Sequence, residues 1–290
     1  MPRRSMRGPI LSRRLPMSLR RRPTRGRSFN STRLIIALVI AAFSLISYFG
    51  SSSYNTVTGE KQYISLAPHQ EIAMGLQARP QMMAQHGGLH PDQHEQDRVD
   101  RIGALLVNSS KARETEWEFD FHLLADPNTV NAFALPGGQV FITQALYSRL
   151  TTEGQIAGVL GHEIAHVVAR HGAQHMAKAG LTQGLIGAVA TASGDRGMTN
   201  AAAMIGQMVN MKYGRDDEIQ SDYLGVQFMT DAGYDPRSMK KVMEILAEAG
   251  GGARQPEFFS THPNPENRIG KIQAAIDTLY PNGLPSGLKP

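Results

Sequence analysis

The residues best suited to chemistry lie in "GVLGHEIAHVVARHG", Gly158 to Gly172, where His162 and His166 stand four apart and Glu163 follows the first directly. On a helix, positions i and i+4 share a face with Cβ atoms about 5–6 Å apart, so two imidazoles there can converge on one tetrahedral cation. Glu163 is turned roughly 100° from His162 and can reach a water beside that cation rather than the cation itself. Zinc lowers the pKa of such a water to about 7, and a neighbouring carboxylate can take its proton. The spacing therefore offers two metal ligands and a general base. The surrounding helix is strongly apolar, and imidazoles in such a setting need a polar partner or a metal.

A catalytic zinc requires a third protein ligand and an open position. The continuation H-x-x-G-x-x-H is missing, because Ala169 stands where its glycine belongs and Gly172 where its histidine belongs. His171, five residues after His166, is expected to turn off the ligand face. A later segment, "GRDDEIQSDYLGVQFM", supplies Asp216, Asp217, Glu218 and Asp222 instead. Glu218 and Asp222 share one face of what reads as a buried helix. One can ligate zinc while the other accepts a hydrogen bond from a ligand imidazole and fixes its tautomer. Carboxylates in the first turn of a helix also have a plain electrostatic reason to be there. Cysteine is absent, which excludes disulfides, thiolate-bound zinc, a cysteine nucleophile and a lipid-bearing cysteine.

The elements that must position these groups are legible in outline. Thr152 to Arg170 reads as the helix carrying the motif, with a threonine cap. Residues 117–126, "WEFDFHLLAD", read as a strand, and "NAFALPGGQVFIT" as a hairpin turning at Pro-Gly-Gly. Helical patterns open near Pro68, resume after "GGLHPDQ", and cover 173–193, 199–212, 216–232, 236–249 and 265–279. The expected class is α+β and helix-rich, with one small sheet. His86, His90 and His94 recur every four residues, but Gly87, Gly88 and Pro91 break any helix that would align them. Met204, Met208 and Met211 read as core or lid.

The net charge of +5 is misleading if taken whole. Residues 1–33 hold eleven arginines and no acidic residue, so the remaining chain carries a balance of −6. A folded nucleic-acid-binding surface is not expected from that distribution. Behind the basic tail, "LIIALVIAAFSLISYF" (34–49) is sixteen residues without a charge. The order fits a signal anchor with the arginines in the cytoplasm. A cleaved signal peptide and a mitochondrial presequence are the competing readings. The organisation expected is a basic tail (1–33), the anchor or signal core (34–49), a linker (50–66), a metallopeptidase domain (67–280) and a C-terminal tail (281–290).

Five blocks in order, "NAFALPGG", "GHEIAHVVARHG", "RDDEIQSDYLG", "AGYDP" and "STHPNPENRI", resemble the M48 metallopeptidases, in the branch of bacterial envelope and mitochondrial members. The resemblance spans about residues 60–280. It implies a zincin-like fold with one Zn2+ per chain held by His162, His166 and Glu218, and Glu163 as general base. It makes Asp222 a partner of a ligand imidazole and places His262 near the metal. There His262 could stabilise the oxyanion or fill the open zinc position at rest, with Arg268 assisting. In zincins an edge strand above the active-site helix receives the substrate as an added strand. Asn131, Ala132, Phe133 and Ala134, or the following 139–143, would form that edge. Two departures stand out: "LTQGLIGAVA" is too short and too broken by Gln183 and glycines for a membrane span, and lipoprotein members' cysteine is lacking. The expectation is a zinc endopeptidase acting on unfolded or misassembled envelope proteins, anchored to the membrane on the extracytoplasmic (periplasmic) side. The alternative places are the soluble periplasm and the mitochondrial inner membrane. The alternative function is a chaperone-like assembly factor with a largely plugged zinc site.

Overall fold

The apolar run that ends in the two histidines forms the helix around which everything else is arranged. The structure is a computed structural model that describes residues 31–193, 212–251, 256–263 and 267–290. In chain order the described elements are α1 (Ser31–Gly50), β1 (Ser52–Asn55), β2 (Glu60–Tyr63), α2 (Pro68–Gln85) and α3 (Gln93–Ser109). They continue with β3 (Asp120–Leu124), β4 (Ala132–Leu135), β5 (Gln139–Thr143), the short α4 (Gln144–Tyr147), α5 (Glu153–Val168) and α6 (His171–Ser193). After the undescribed stretch come α7 (Arg215–Asp231), α8 (Ser238–Ala249), the short α9 (Phe258–Thr261) and α10 (Arg268–Leu279). The class is α+β and helix-rich. The helical pattern over 199–212, with Met204, Met208 and Met211, lies outside the described residues, as do residues 1–30 of the basic tail.

α5 starts at a threonine cap, Thr152 Oγ1 accepting from the Gln155 amide at 3.3 Å. Nearly every residue of the helix is buried, including Ile156, Leu160 and Ile164. A helix apolar on all sides must be enclosed on all sides, and here α3, α7, α8 and the sheet enclose it. α7 approaches closely because Gly225 faces its backbone: a Cβ there would lie 3.4 Å from the His162 nitrogen and 2.7 Å from the end of Met239. This close crossing carries Glu218 and Asp222, on one face of α7, toward the histidines of α5.

The three-stranded sheet has the order β3-β5-β4. β5 is parallel to β3 and antiparallel to β4, with Phe133 opposite Phe141. β5 is therefore the central strand, buried throughout, and the alternative edge at 139–143 is ruled out. The outer side of β3 is closed. Gln96 accepts from the Leu123 amide and donates to the Phe121 carbonyl, both at 2.8 Å. His90 and Gly88 bond the backbone of Leu123 and Ala125. β4 has a strand partner on one side only.

Three segments differ from their sequence expectation. Residues 50–66 are not an extended linker, since β1 and β2 form a hairpin whose turn is held by Asn55 Oδ1 accepting from the amides of Val57 and Thr58. The hairpin also caps α5: Asn55 donates to the Val168 carbonyl and Gln62 to the Ala169 carbonyl, each at 2.8 Å. Those are end-of-helix acceptors that have no partner inside the helix. Residues 281–290 are pinned rather than free, with Lys289 paired to Gly233 and Asp235 through the backbone. Finally, α5 ends at Val168, short of Arg170, while α6 covers the helical pattern expected over 173–193.

Replacing Asn55 by Ala removes the partner of the Val168 carbonyl and both turn bonds. We expect a loss of about 1–3 kcal/mol in stability, read by urea unfolding of the detergent-solubilised chain, with the Tyr54→Ala variant near the parent value.

Candidate metal centre

α5 presents His162 and His166 on one face, and α7 brings Glu218 opposite them. The turn after α9 brings His262. His162 Nε2 lies 3.1 Å from His166 Nε2 and 3.4 Å from both Glu218 Oε2 and His262 Nδ1. His166 Nε2 is 3.3 Å from Glu218 Oε1, and His262 Nδ1 is 3.1 Å from that oxygen. For ligand bonds of about 2.0–2.1 Å, a tetrahedron has edges of about 3.3 Å. One donor atom from each of the four residues lies within 4.8 Å of the others, close enough to converge on a single ion. All four side chains are buried.

Electrostatics point the same way. Glu163, Glu218 and Asp222 are buried, and Arg268 is the one buried guanidinium among them. Glu218 and Asp222 face Arg268 and the His162 imidazole, and buried charge is tolerated only when paired or metal-bound. Burial works to lower the pKa of His162, yet the Asp222 and Glu218 carboxylates override it and push the value to about 9. Burial would raise Glu218, but His262, His162 and His166 hold it well below the usual carboxylate range. The pocket is built to attract a positive charge, and His162, His166, Glu218 and His262 could hold a divalent metal ion there.

A further layer orients these groups. His162 Nδ1 donates to Asp222 Oδ1 at 2.9 Å. Asp222 in turn accepts two bonds from Arg268, Nε to Oδ2 at 2.7 Å and Nη2 to Oδ1 at 2.8 Å, while Arg268 Nη1 reaches Glu218 at 3.1 Å. Glu163 is fully buried, and neither of its oxygens has a hydrogen-bond partner. His262 Nε2 is 3.6 Å from its Oε1. Burial raises the Glu163 pKa.

Asp216 does not join the cluster and is exposed. Asp217 turns aside to His175, 2.7 Å away, and to the Gly214 amide. Asn131 and Ala132 are buried and Phe133 and Ala134 half-buried. Ala134 and Leu135 border the same small recess as His166 and Tyr213. The Asn131 side-chain oxygen is buried without a donor.

Two residues at the site are not signalled by the sequence pattern. A single helix running through His171 would turn that side chain away. In fact α5 ends at Val168, and Arg170 adopts φ +57, held there by Glu71 and by the Leu66 carbonyl. The chain restarts as α6 at His171, whose Nδ1 lies 2.9 Å from His166 Nδ1. Its Nε2 lies 2.9 Å from Gln220 Oε1. The relay leaves His166 Nε2 free as an acceptor facing the cluster. Tyr213 stacks on His166 with ring centroids 3.9 Å apart. A lone tyrosine before a glycine gives no signal of this.

A profile described as Peptidase family M48 matches residues 93–276, the span that carries all of these donors. The chain is 29% identical over 231 residues to the mitochondrial metalloendopeptidase OMA1 of Schizosaccharomyces pombe, covering 79% of this chain and 67% of that one. It is 32% identical over 196 residues to the beta-barrel assembly-enhancing protease of Escherichia coli, covering 63% of this chain and 39% of that one. A putative beta-barrel assembly-enhancing protease of Vibrio cholerae is 30% identical over 256 residues, covering 83% and 51%. The chain therefore spans from about two fifths to two thirds of the length of these relatives.

Replacing Asp222 by Asn exchanges an acceptor for an amide that can present its nitrogen to His162, and strips Arg268 of its counter-ion. We expect divalent-metal affinity to fall about 10–100-fold, measured by chelator competition. Unchanged affinity would separate Asp222 from the metal centre.

Proposed function

The chain belongs to peptidase family M48, and from that premise we propose that it is a zinc-dependent endopeptidase that cuts extended or unfolded polypeptide, with His162, His166 and Glu218 as ligands and Glu163 as general base. The observation that carries the reading is the Glu163 carboxylate, fully buried beside the donor cluster with both oxygens unpartnered. An ionisable group is held in that state at a cost, and a hydrolytic role gives the cost a use. A bound zinc ion supplies Lewis acidity at the scissile carbonyl and lowers the pKa of the attacking water. Glu163 then accepts the proton of that water and delivers it to the leaving amine. Asp222 and Arg268 keep His162 in one tautomer and orientation, and His171 does the same for His166.

The substrate enters, on this reading, as an added strand along β4, from Asn131 to Ala134. Main-chain pairing asks little of the substrate's sequence, and the unpartnered Asn131 oxygen is an acceptor for one of its amides. The fourth donor position is taken by His262 Nδ1. We read this as a resting arrangement, from which His262 withdraws before substrate approaches; Arg268 stays on Asp222 and Glu218 throughout. Unfolded or misassembled envelope proteins are the substrate class, supported by the names of the bacterial relatives. Ser31–Gly50 is long and apolar enough to cross a membrane and follows the arginine-rich tail, an order that supports reading the catalytic body as extracytoplasmic. The same His262 contact favours a second reading, a binding or assembly factor that seldom cuts because its centre is plugged.

Cleavage of unfolded casein by the full chain in detergent tests both. Glu163→Gln should lower turnover by about 10²–10⁴-fold while keeping one equivalent of zinc; full activity in that variant would dismiss Glu163 as the base. His262→Ala should keep its zinc on three ligands and cleave faster than the parent. A drop in turnover with zinc retained would instead assign His262 to stabilising the reacting carbonyl. If Glu163→Gln, His262→Ala and the parent all bind zinc and none cleaves, the binding-factor reading takes over.

A further inference from the structure

α6 does more than leave the site at His171. It is 23 residues long, and beyond Lys178 its sequence carries no charged side chain before Asp195. That second half packs lengthwise on α1, the helix long and apolar enough to cross a membrane. The two run antiparallel. The cleft at one end is lined by Ser47 and Tyr48 from α1 and Met176 and Ala177 from α6. Further along, Gly184 meets Ser44 so closely that a methyl group there would collide with the serine side chain. Ala37 and Ala188, one on each helix, are buried. Close approach through small residues is how helices pair where no water drives them together.

Large apolar side chains on both helices are exposed. On α6, Ile186 is 63% and Val189 70% exposed; on α1, Phe43 and Ile46 are each 72% exposed. Three hydroxyls on this pair are satisfied within their own helix. Ser44 donates to the Ile40 carbonyl at 2.8 Å, Thr182 to Lys178 at 2.9 Å and Thr191 to Gly187 at 2.8 Å. Internal satisfaction of polar groups is what a hydrocarbon environment demands. The end of the pair that holds this cleft is marked by an aromatic and basic cluster: Tyr48 stacks on Tyr63 at 5.1 Å, Phe49 meets Tyr63 edge-on, and Lys61 lies 5.5 Å over the Tyr63 ring. Rings and cations of this kind collect at the headgroup level.

We propose that the second half of α6, Ala179–Ser193, is inserted in the lipid bilayer beside α1, so that the donor cluster is held against the membrane surface. This rests on the reading of α1 as a retained anchor. At 1.5 Å per residue the inserted half extends about 20 Å, some two thirds of the hydrocarbon thickness. From His171 to Ala179 is about 12 Å by the same rise, which sets the height of the catalytic groups above the hydrocarbon. The enzyme then acts on polypeptide lying at or emerging from the bilayer face, and α6 couples that face directly to His171 and His166.

The lack of cysteine makes the test direct. Single cysteines at Ile46, Ile186, Val189 and Lys241 of the full chain are labelled with bimane in phosphatidylethanolamine–phosphatidylglycerol vesicles, with helix content checked for each variant. Quenching by acyl-brominated lipid is compared with quenching by aqueous iodide. We expect positions 186 and 189 to match position 46, quenched by bromolipid several-fold more than position 241 and shielded from iodide. If position 46 is quenched by lipid but 186 and 189 behave like 241, the proposal is overturned and the anchor stands. If 186 and 189 are shielded from both quenchers, protein rather than lipid covers them, which also overturns it. If position 46 itself is open to iodide, the anchor reading fails and the proposal with it.

Discussion

The constraint on which the structure depends is the burial of three carboxylates against one guanidinium. Glu163, Glu218 and Asp222 lie within the same dry interior as Arg268. Charge in that setting is expensive unless it is paired, and removing one partner of a buried pair is more damaging than never having built it. The arrangement makes sense only as half of a neutral whole. Arg268 holds Asp222 with two hydrogen bonds and forms an ion pair with Glu218 through its remaining nitrogen. The three imidazole nitrogens that face one another cannot all be satisfied by protons without adding to the congestion of donors. A divalent cation relieves both difficulties at once. A metal held there would contribute to folding as well as to chemistry, because a site that forms only in the folded chain turns binding energy into folding energy.

Much of the surrounding architecture follows from keeping that core rigid. α5 is apolar on every side because it must be enclosed, and Gly225 lets α7 come close enough for carboxylate and imidazole to meet. The end of α5 is then a liability, with carbonyls that have lost their helical partners. The β1–β2 hairpin meets it, as do Gln174 and the left-handed Arg170. That residue's guanidinium is anchored on the buried Glu71, whose pKa burial raises against the pull of Arg170. This is a costly way to end a helix, and its product is specific: the chain turns so that His171 faces back onto His166.

The sequence is most informative where chemistry and periodicity coincide. His162, Glu163 and His166 declare themselves because i, i+4 imidazoles are costly in an apolar helix unless a metal or a polar partner meets them. The sheet is legible from alternation and the Pro-Gly-Gly turn, although which strand is the edge depends on long-range pairing that local pattern does not encode. His171 is hidden by the backbone: one residue at φ +57 resets the angular phase, and no residue type announces that an arginine will adopt it. The β1–β2 hairpin is hidden because its partners, Val168 and Ala169, lie more than a hundred positions away. α6 is legible as a helix, but its packing on α1, where Gly184 meets Ser44, is again a long-range contact that local pattern does not encode.

α6 also links two properties that would otherwise be separate. One end supplies His171 to the histidine relay and His175 to Asp217; the other lies along α1 with its apolar face bare. A helix is stiff over this length, so a change in how its far end is held is transmitted to the near end as a tilt or shift rather than dissipated. At the near end the tolerance is small. The relay from Gln220 through His171 to His166 is made of contacts of 2.9 Å, and Tyr213 and His262 are packed ring against ring over the same imidazole. A displacement of a fraction of an ångström there alters the orientation of His166 and the space left for His262. α6 thus joins the contact with α1 at one end to the His171–His166 pair at the other, and His166 in turn packs against Tyr213 and His262.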